Sequence, residues 1–238
     1  MSLLSIVTAF CGRTNLPTPA TVMGSVSDLQ VLQVLRILEE EGTDLNKRGP
    51  WQGTTFEATW TTTAAEDQGA LTTLASNGFA YIKPGTFWDR TNKLPVWGPL
   101  SDAQWTALKG LGTSQSRYQY RIRGGKLLVN PAAAASLSWA FEYASTNWIL
   151  GVDGVTYKSL FTLDTDTVLL PEHLLISGLR WRWKKEKGLE YAEDMRTYET
   201  QVQDALARDG SKATLSMSQD SRSASPGVFI PSMNWPLP

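Results

Sequence analysis

The chain has 238 residues, enough for one large domain or two small ones, and its 42% hydrophobic and 19% charged content is that of a globular protein. A formal net charge of −1 argues against nucleic-acid binding through a globally basic surface. One cysteine, Cys11, cannot form an internal disulfide and fits a reducing compartment. No run approaches the roughly 20 apolar residues of a membrane span, so the chain is expected to be soluble and cytoplasmic when made.

The apolar run Leu3–Cys11 has no positive residue before it, and Arg13 follows it. That order predicts a short buried helix over Ser2–Arg13 rather than a signal peptide. Pro17 and Pro19 impose a loop. Ser27, with Gln30 three residues on, reads as the capping box of a second helix. Val31, Val34, Leu35, Leu38 and Leu45 follow at helical spacing. Glu39, Glu40 and Glu41 are expected on the solvated side or near a partner, and Gly49-Pro50 stops the helix.

From Trp51 to Leu163 the chain is rich in Thr, Gly and aromatics. Phe56–Thr63 and Phe79–Lys83 have strand composition. Phe87–Arg90 and Lys93–Val96 predict a hairpin. Tyr118–Arg123, Gly124-Gly125 and Lys126–Val129 predict another, because paired glycines supply the positive φ of a two-residue turn. Ser138–Tyr143 alternates with period two. A second capping box, Ser101 to Gln104, predicts a helix near Asp102–Lys109 among the strands. Six to eight antiparallel strands are expected here.

The third section returns to helix. A cap near Thr167 and Pro171 in the first turn open one helix to about Lys187; Gly188 breaks it, and a second runs to Asp209 on a stripe of Tyr191, Met195, Tyr198, Val202 and Ala205. The last 28 residues show no periodicity yet carry Val228, Phe229, Ile230, Met233, Trp235 and Leu237. Burying three such side chains contributes roughly 5–9 kcal/mol before ordering costs, which predicts an extended arm that docks on another subunit or, on the plainer reading, a segment that wraps back on its own domain; the first is the expectation taken here. The expected fold class is therefore α+β: a helical domain from residues 1–50 and 164–210, an inserted antiparallel β-domain at 51–163, and an extended arm at 211–238.

No constellation of residues carries catalytic chemistry. The one histidine, His173, sits in a helical first turn with no partner evident for general-base work. One His and one Cys cannot build a zinc site, and Asp164-Thr-Asp166 lacks the Gly and distal Glu of a calcium loop. No phosphate-binding loop is present. Glu66-Asp67 and Glu193-Asp194 are sequence neighbours, which point apart on a helix. An enzyme and a cofactor are therefore not expected. One charged cluster remains. Arg180, Arg182, Lys184, Lys185 and Lys187 interleave with Trp181 and Trp183, as a contact for phosphate or an acidic partner, or as the solvated side of a helix whose Leu175, Leu179 and Trp183 point inward.

The order of elements resembles the head-to-tail adaptor proteins of short-tailed bacteriophages, the tail tubular protein A-like or neck proteins. The resemblance is carried by LLPEHLLISGLRWRWKKEKGLEYAEDMRTYETQVQDAL near the C-terminus and by the apolar helix, Pro loop and DLQVLQVLRILEEEGTDLNKRGPW at the start, and it spans Leu3 to about Ala207. It implies a helical bundle carrying a β-insertion, and a ring, usually of twelve copies in such adaptors, in the virion between the portal protein and the tail nozzle protein, around the channel through which viral DNA leaves. It also implies that the C-terminal segment reaches the portal, with Phe229, Ile230 and Trp235 as anchors. A rival reading is a carbohydrate- or receptor-binding β-module of a phage tail, using exposed Trp60, Trp88 or Trp97; a further one is a hydrolase with a carboxylate pair in a cleft.

Overall fold

The computed structural model describes residues 1–25, 28–111 and 117–210. The fold is α+β, with helices and antiparallel sheets. Helix α1 (Leu3–Thr14) is capped by Ser2, whose hydroxyl accepts from Ser5 N–H, and ends at Asn15 in the left-handed region. Helix α2 (Leu29–Lys47) begins one residue later than the capping-box spacing implied. Asp28 caps it by accepting from Gln30 and Val31 N–H; the expected cap, Ser27, lies outside the described residues.

Strand β1 (Thr55–Thr61) is followed by β2 (Asp67–Ala70), the single-turn helix α3 (Leu71–Leu74), β3 (Tyr81–Ile82), β4 (Trp88–Asp89), β5 (Leu94–Pro95) and helix α4 (Asp102–Leu111). Strands β6 (Gln119–Arg123), β7 (Lys126–Asn130) and β8 (Ser138–Ala144) come next. The expected hairpins form, with Trp88 opposite Pro95 and Arg123 opposite Lys126. The capping box of α4 is reciprocal: Ser101 N–H donates to Gln104 Oε1 at 3.0 Å, and Gln104 N–H to Ser101 Oγ at 3.3 Å. One sheet runs β1-β8-β4-β5 with β3 also paired to β8, and a second runs β2-β7-β6.

A third sheet, β10-β9-β11, is built from β9 (Ile149–Leu150), β10 (Tyr157–Lys158) and β11 (Thr167–Val168). Thr167 therefore lies in a strand and does not cap the next helix. That helix, α5 (Glu172–Glu186), starts after Pro171 with no side-chain cap, and Gly188, at φ +68°, turns the chain into α6 (Ala192–Asp209).

Two hydrophobic cores divide the molecule. Residues from α1, α2, α5 and α6 share one with Trp51, Trp148, Ile149, Phe161 and Leu170. The other lies within the β-section and gathers Phe87, Tyr120, Trp139, Phe141 and Tyr143. The packing boundary thus falls near Trp148, inside the expected β-segment, and the 149–168 sheet belongs with the helices. The chain leaves and re-enters the helical unit at one place: Thr55 is opposite Ala144 in the β1–β8 ladder, and Ser145 N–H donates to Thr54 C=O at 2.8 Å.

Candidate functional site

The basic run on α5 is built on an inward stripe. Leu175, Leu179 and Trp183 are buried against α1 and α2, which fixes the rotation of the helix. That rotation turns Arg182 toward the acidic part of α2 rather than to solvent. Its Nε donates to Glu41 at 2.6 Å and its Nη2 to Asp44 at 2.6 Å, and its Nη1 pairs with Glu40. Glu40 and Asp44 are one turn apart, so a single planar guanidinium spans both together with Glu41. Gly178, one turn before Arg182, makes the approach possible: a Cβ there would lie 2.3 Å from Glu41 Cδ.

Glu39 and Glu41 are buried and only Glu40 is exposed, so of the two places expected for the triplet, a solvated side or near a partner, only Glu40 takes the first. The reason is that α2 is covered on more than one side, and a buried carboxylate is tolerated only when paired. Glu39 pairs with Arg36 at 2.8 Å. Glu41 receives both Arg182 and the hydroxyl of Tyr198, which donates to it from α6. Burial pushes the Glu41 carboxyl above its ordinary value of 4.5, against the opposite pull of the Tyr198 and Arg182 hydrogen bonds. Burial and the adjacent Glu41 charge push the Tyr198 phenol up as well. Arg48 stacks over the Tyr198 ring, 5.3 Å from its centroid, and pairs with Glu199 at 2.6 Å.

The other basic residues divide. Arg180 at 3.3 Å and Lys184 both pair with Asp194 of α6. Lys187 donates to Gln33 Oε1 at 3.0 Å and lies over the Trp183 ring, 4.4 Å from its centroid. Lys185 is exposed. Of the five residues expected to form one charged interface, Arg182 is committed to an internal cluster, Arg180 and Lys184 tie α5 to α6, and Lys185 and Lys187 face outward. The cluster joins α2, α5 and α6 into one body. Glu41 is fully buried and Tyr198 nearly so, so neither is reachable by a substrate.

The remaining sequence candidates are scattered. His173 is exposed in the first turn of α5, and Cys11 is buried in the helical core, where burial pushes its thiol up. Asp166 accepts from Thr162 and Leu163 N–H and from Lys158 at 2.9 Å, which is turn chemistry, whereas Asp164 accepts from the Val22 and Met23 N–H groups and so ties its loop to the distant segment after α1. Glu66 and Asp67 pair with Lys109 and Lys126. Among the described residues no group of three or more His, Cys, Asp or Glu is placed to hold a metal ion, and no helix is long and apolar enough to cross a membrane. Trp60, Trp88 and Trp97 are half-buried, not exposed; Trp60 packs edge-on to Trp139 and Phe141. The arm residues Val228, Phe229, Ile230, Met233, Trp235 and Leu237 lie outside the described residues.

One feature was not singled out from sequence. The β9–β10 turn, Gly151–Thr156, holds Val152 and Val155 largely in solvent. Its signal was the Asp153-Gly154 pair between two valines. No protein-family model matches this chain, and no curated protein is similar to it.

Proposed function

We propose that the chain is a structural virion protein: a head-to-tail adaptor that forms a ring, of twelve copies in the related assemblies, between the portal protein and the tail nozzle protein of a short-tailed bacteriophage. The viral DNA passes through its centre and no chemistry is performed on it. The observation that supports this reading is the shared core of α1 and α2 with α5 and α6, from which the β-unit emerges through a two-strand junction. That is the architecture the resemblance implies. A ring of this kind needs contacts between different surfaces of identical subunits and no catalytic group. The near-neutral charge suits a passage that must not hold phosphates, since contacts summed over many copies would retain the DNA.

Residues 211–238 supply the portal-docking arm in this reading, with Val228, Phe229, Ile230, Met233, Trp235 and Leu237 as its apolar contacts. Deleting residues 226–238 is expected to leave the circular-dichroism spectrum and melting transition unchanged and to abolish co-sedimentation with the portal protein of the same virus. Negative-stain images of the full chain mixed with that portal should show rings seated on it. A deletion that still co-sediments removes the arm, and a full chain that never binds the portal removes the adaptor reading.

A further inference from the structure

Strand β1 forms the outer margin of its sheet, and the ladder fixes where its backbone groups point. Thr54 C=O accepts from Ser145 N–H at 2.8 Å and Thr62 N–H donates to Leu137 C=O at 2.9 Å, so the even-numbered positions between them bond to β8. Thr55, Glu57, Thr59 and Thr61 therefore turn their N–H and C=O groups away from the sheet. Thr55 N–H is taken by Gln52 C=O. The N–H groups of Glu57, Thr59 and Thr61 meet no acceptor among the described residues, and all three residues are exposed.

The other sheet margins are covered or interrupted. Strand β6 is covered by the segment before α4, where Trp97 N–H donates to Tyr118 C=O at 3.0 Å and Leu100 N–H to Tyr120 C=O at 2.9 Å. Strand β11 is covered by the start of the chain, with Val168 N–H donating to Met1 C=O at 3.2 Å. The register of β2 shifts between Asp67 and Ala70, β5 contains Pro95, and β3 and β10 are two residues long. These are the devices that keep a sheet margin from pairing with another chain. Strand β1 has none of them. It is seven residues long, without proline, in unbroken register from Thr55 to Thr61, and its single charge, Glu57, is already paired with Arg90.

The strand also matches itself. Its outward groups sit at odd positions, so two copies running antiparallel overlap in full with Ala58 opposite Ala58. That register sets Glu57 opposite Thr59, Thr55 opposite Thr61 and, on the core-facing side, Phe56 opposite Trp60. Glu57 and Thr59 can then exchange both backbone hydrogen bonds, and Thr61 N–H reaches Thr55 C=O. Aromatic and Thr–Thr pairs of this kind stabilise antiparallel ladders. A slip one way sets Glu57 opposite Glu57, like charge on like; a slip the other way leaves Phe56 with no aromatic opposite. Phe56 and Trp60 are half-buried at the margin, and a second strand covers what they still show to water. We infer that β1 of one copy pairs antiparallel with β1 of a second copy, about a two-fold axis at Ala58, and joins the two sheets into one. Neighbours in a cyclic ring meet through different surfaces, whereas this contact uses one surface twice. It therefore closes on a pair, belongs to the chain before any ring forms, and does not rest on the adaptor reading.

The test uses the full chain, with circular dichroism to check that each variant folds. Sedimentation velocity across a concentration series should show the wild type passing from monomer to dimer. Hydrogen exchange should show the Glu57, Thr59 and Thr61 amides protected only at concentrations where the dimer forms. Thr59→Pro removes an N–H that the single chain does not use, and it should abolish the dimer. Thr59→Glu sets a carboxylate opposite Glu57 of the second copy and should raise the dimer dissociation constant about tenfold, whereas Thr59→Lys should leave it unchanged or lower it. A dimer that survives Thr59→Pro, or that responds alike to Thr59→Glu and Thr59→Lys, overturns the pairing. A wild type that stays monomeric overturns it too; if the three amides then become protected only when the portal protein is added, the strand belongs to that partner instead. The portal co-sedimentation above judges the adaptor reading separately in every case.

Discussion

At the scale of single residues, Glu41 shows how a charge becomes part of a core. It is fully buried, yet an arginine from α5 and a phenol from α6 both reach it. Breaking such a cluster leaves an uncompensated charge, which is why each partner should be costly to remove. Gly178 is an exacting position, since its added Cβ would meet a carboxylate held by two partners and unable to step aside. Gly178→Ala is expected to destabilise by about 1–3 kcal/mol, read from urea unfolding. Glu41 also leaves a mark on the pH profile. Its folded pKa is raised above 4.5, so the folded state holds the proton in a window that begins near 4.5 and extends upward. Raising the pH through that window therefore removes stability. The wild type should lose stability relative to Glu41→Gln as pH climbs from 4.5 toward neutrality; a difference that is flat with pH would contradict the burial-driven shift.

At the scale of elements, α6 is the least apolar attachment in the helical unit. Only Tyr198 and Val202 are fully covered, while Asp194, Glu199 and Asp209 hold it through Arg180, Lys184, Arg48 and the Gln52 N–H. Partly exposed pairs are screened by salt, so hydrogen exchange over 192–209 should be faster than over 172–186, and the gap should widen in 1 M salt. Equal protection of the two helices at both salt levels would show that α6 opens only with the whole domain. Legibility in the sequence follows the same division between local and distant causes. The capping box at Ser101, the Gly124-Gly125 hairpin and the stripes of α2 and α5 are written in neighbouring residues, and all are present in the structure. The two-residue strands of the 149–168 sheet are too short to show a period, and they form because Trp148 anchors them on Gly42, more than a hundred positions away. The basic run of α5 was visible as composition. That Arg182 turns inward was not, because its partners lie on α2 some 140 residues earlier.

At the scale of the whole molecule, the β1–β8 ladder sets Thr55 opposite Ala144, so the two ends of the β-section lie side by side. Replacing residues 56–143 by a short Gly-containing turn should therefore leave a soluble helical protein that keeps the α1–α2–α5–α6 core. Its expected signature is retained helical circular dichroism with a single cooperative thermal transition; a molten chain lacking that transition would mean that the two cores depend on each other.

The arrangement of the helical core also sets a schedule for synthesis. Helices α1 and α2 leave the ribosome first, but α5 begins some 125 residues after Lys47. At a translation rate of roughly 5–20 residues per second, their apolar stripes wait about 6–25 s for a partner. During that interval the strands between them can already close on their own core. The nascent chain thus passes through a stage with a finished β-unit and an unfinished, sticky N-terminal pair, and it is at that stage that a chaperone would have something to hold.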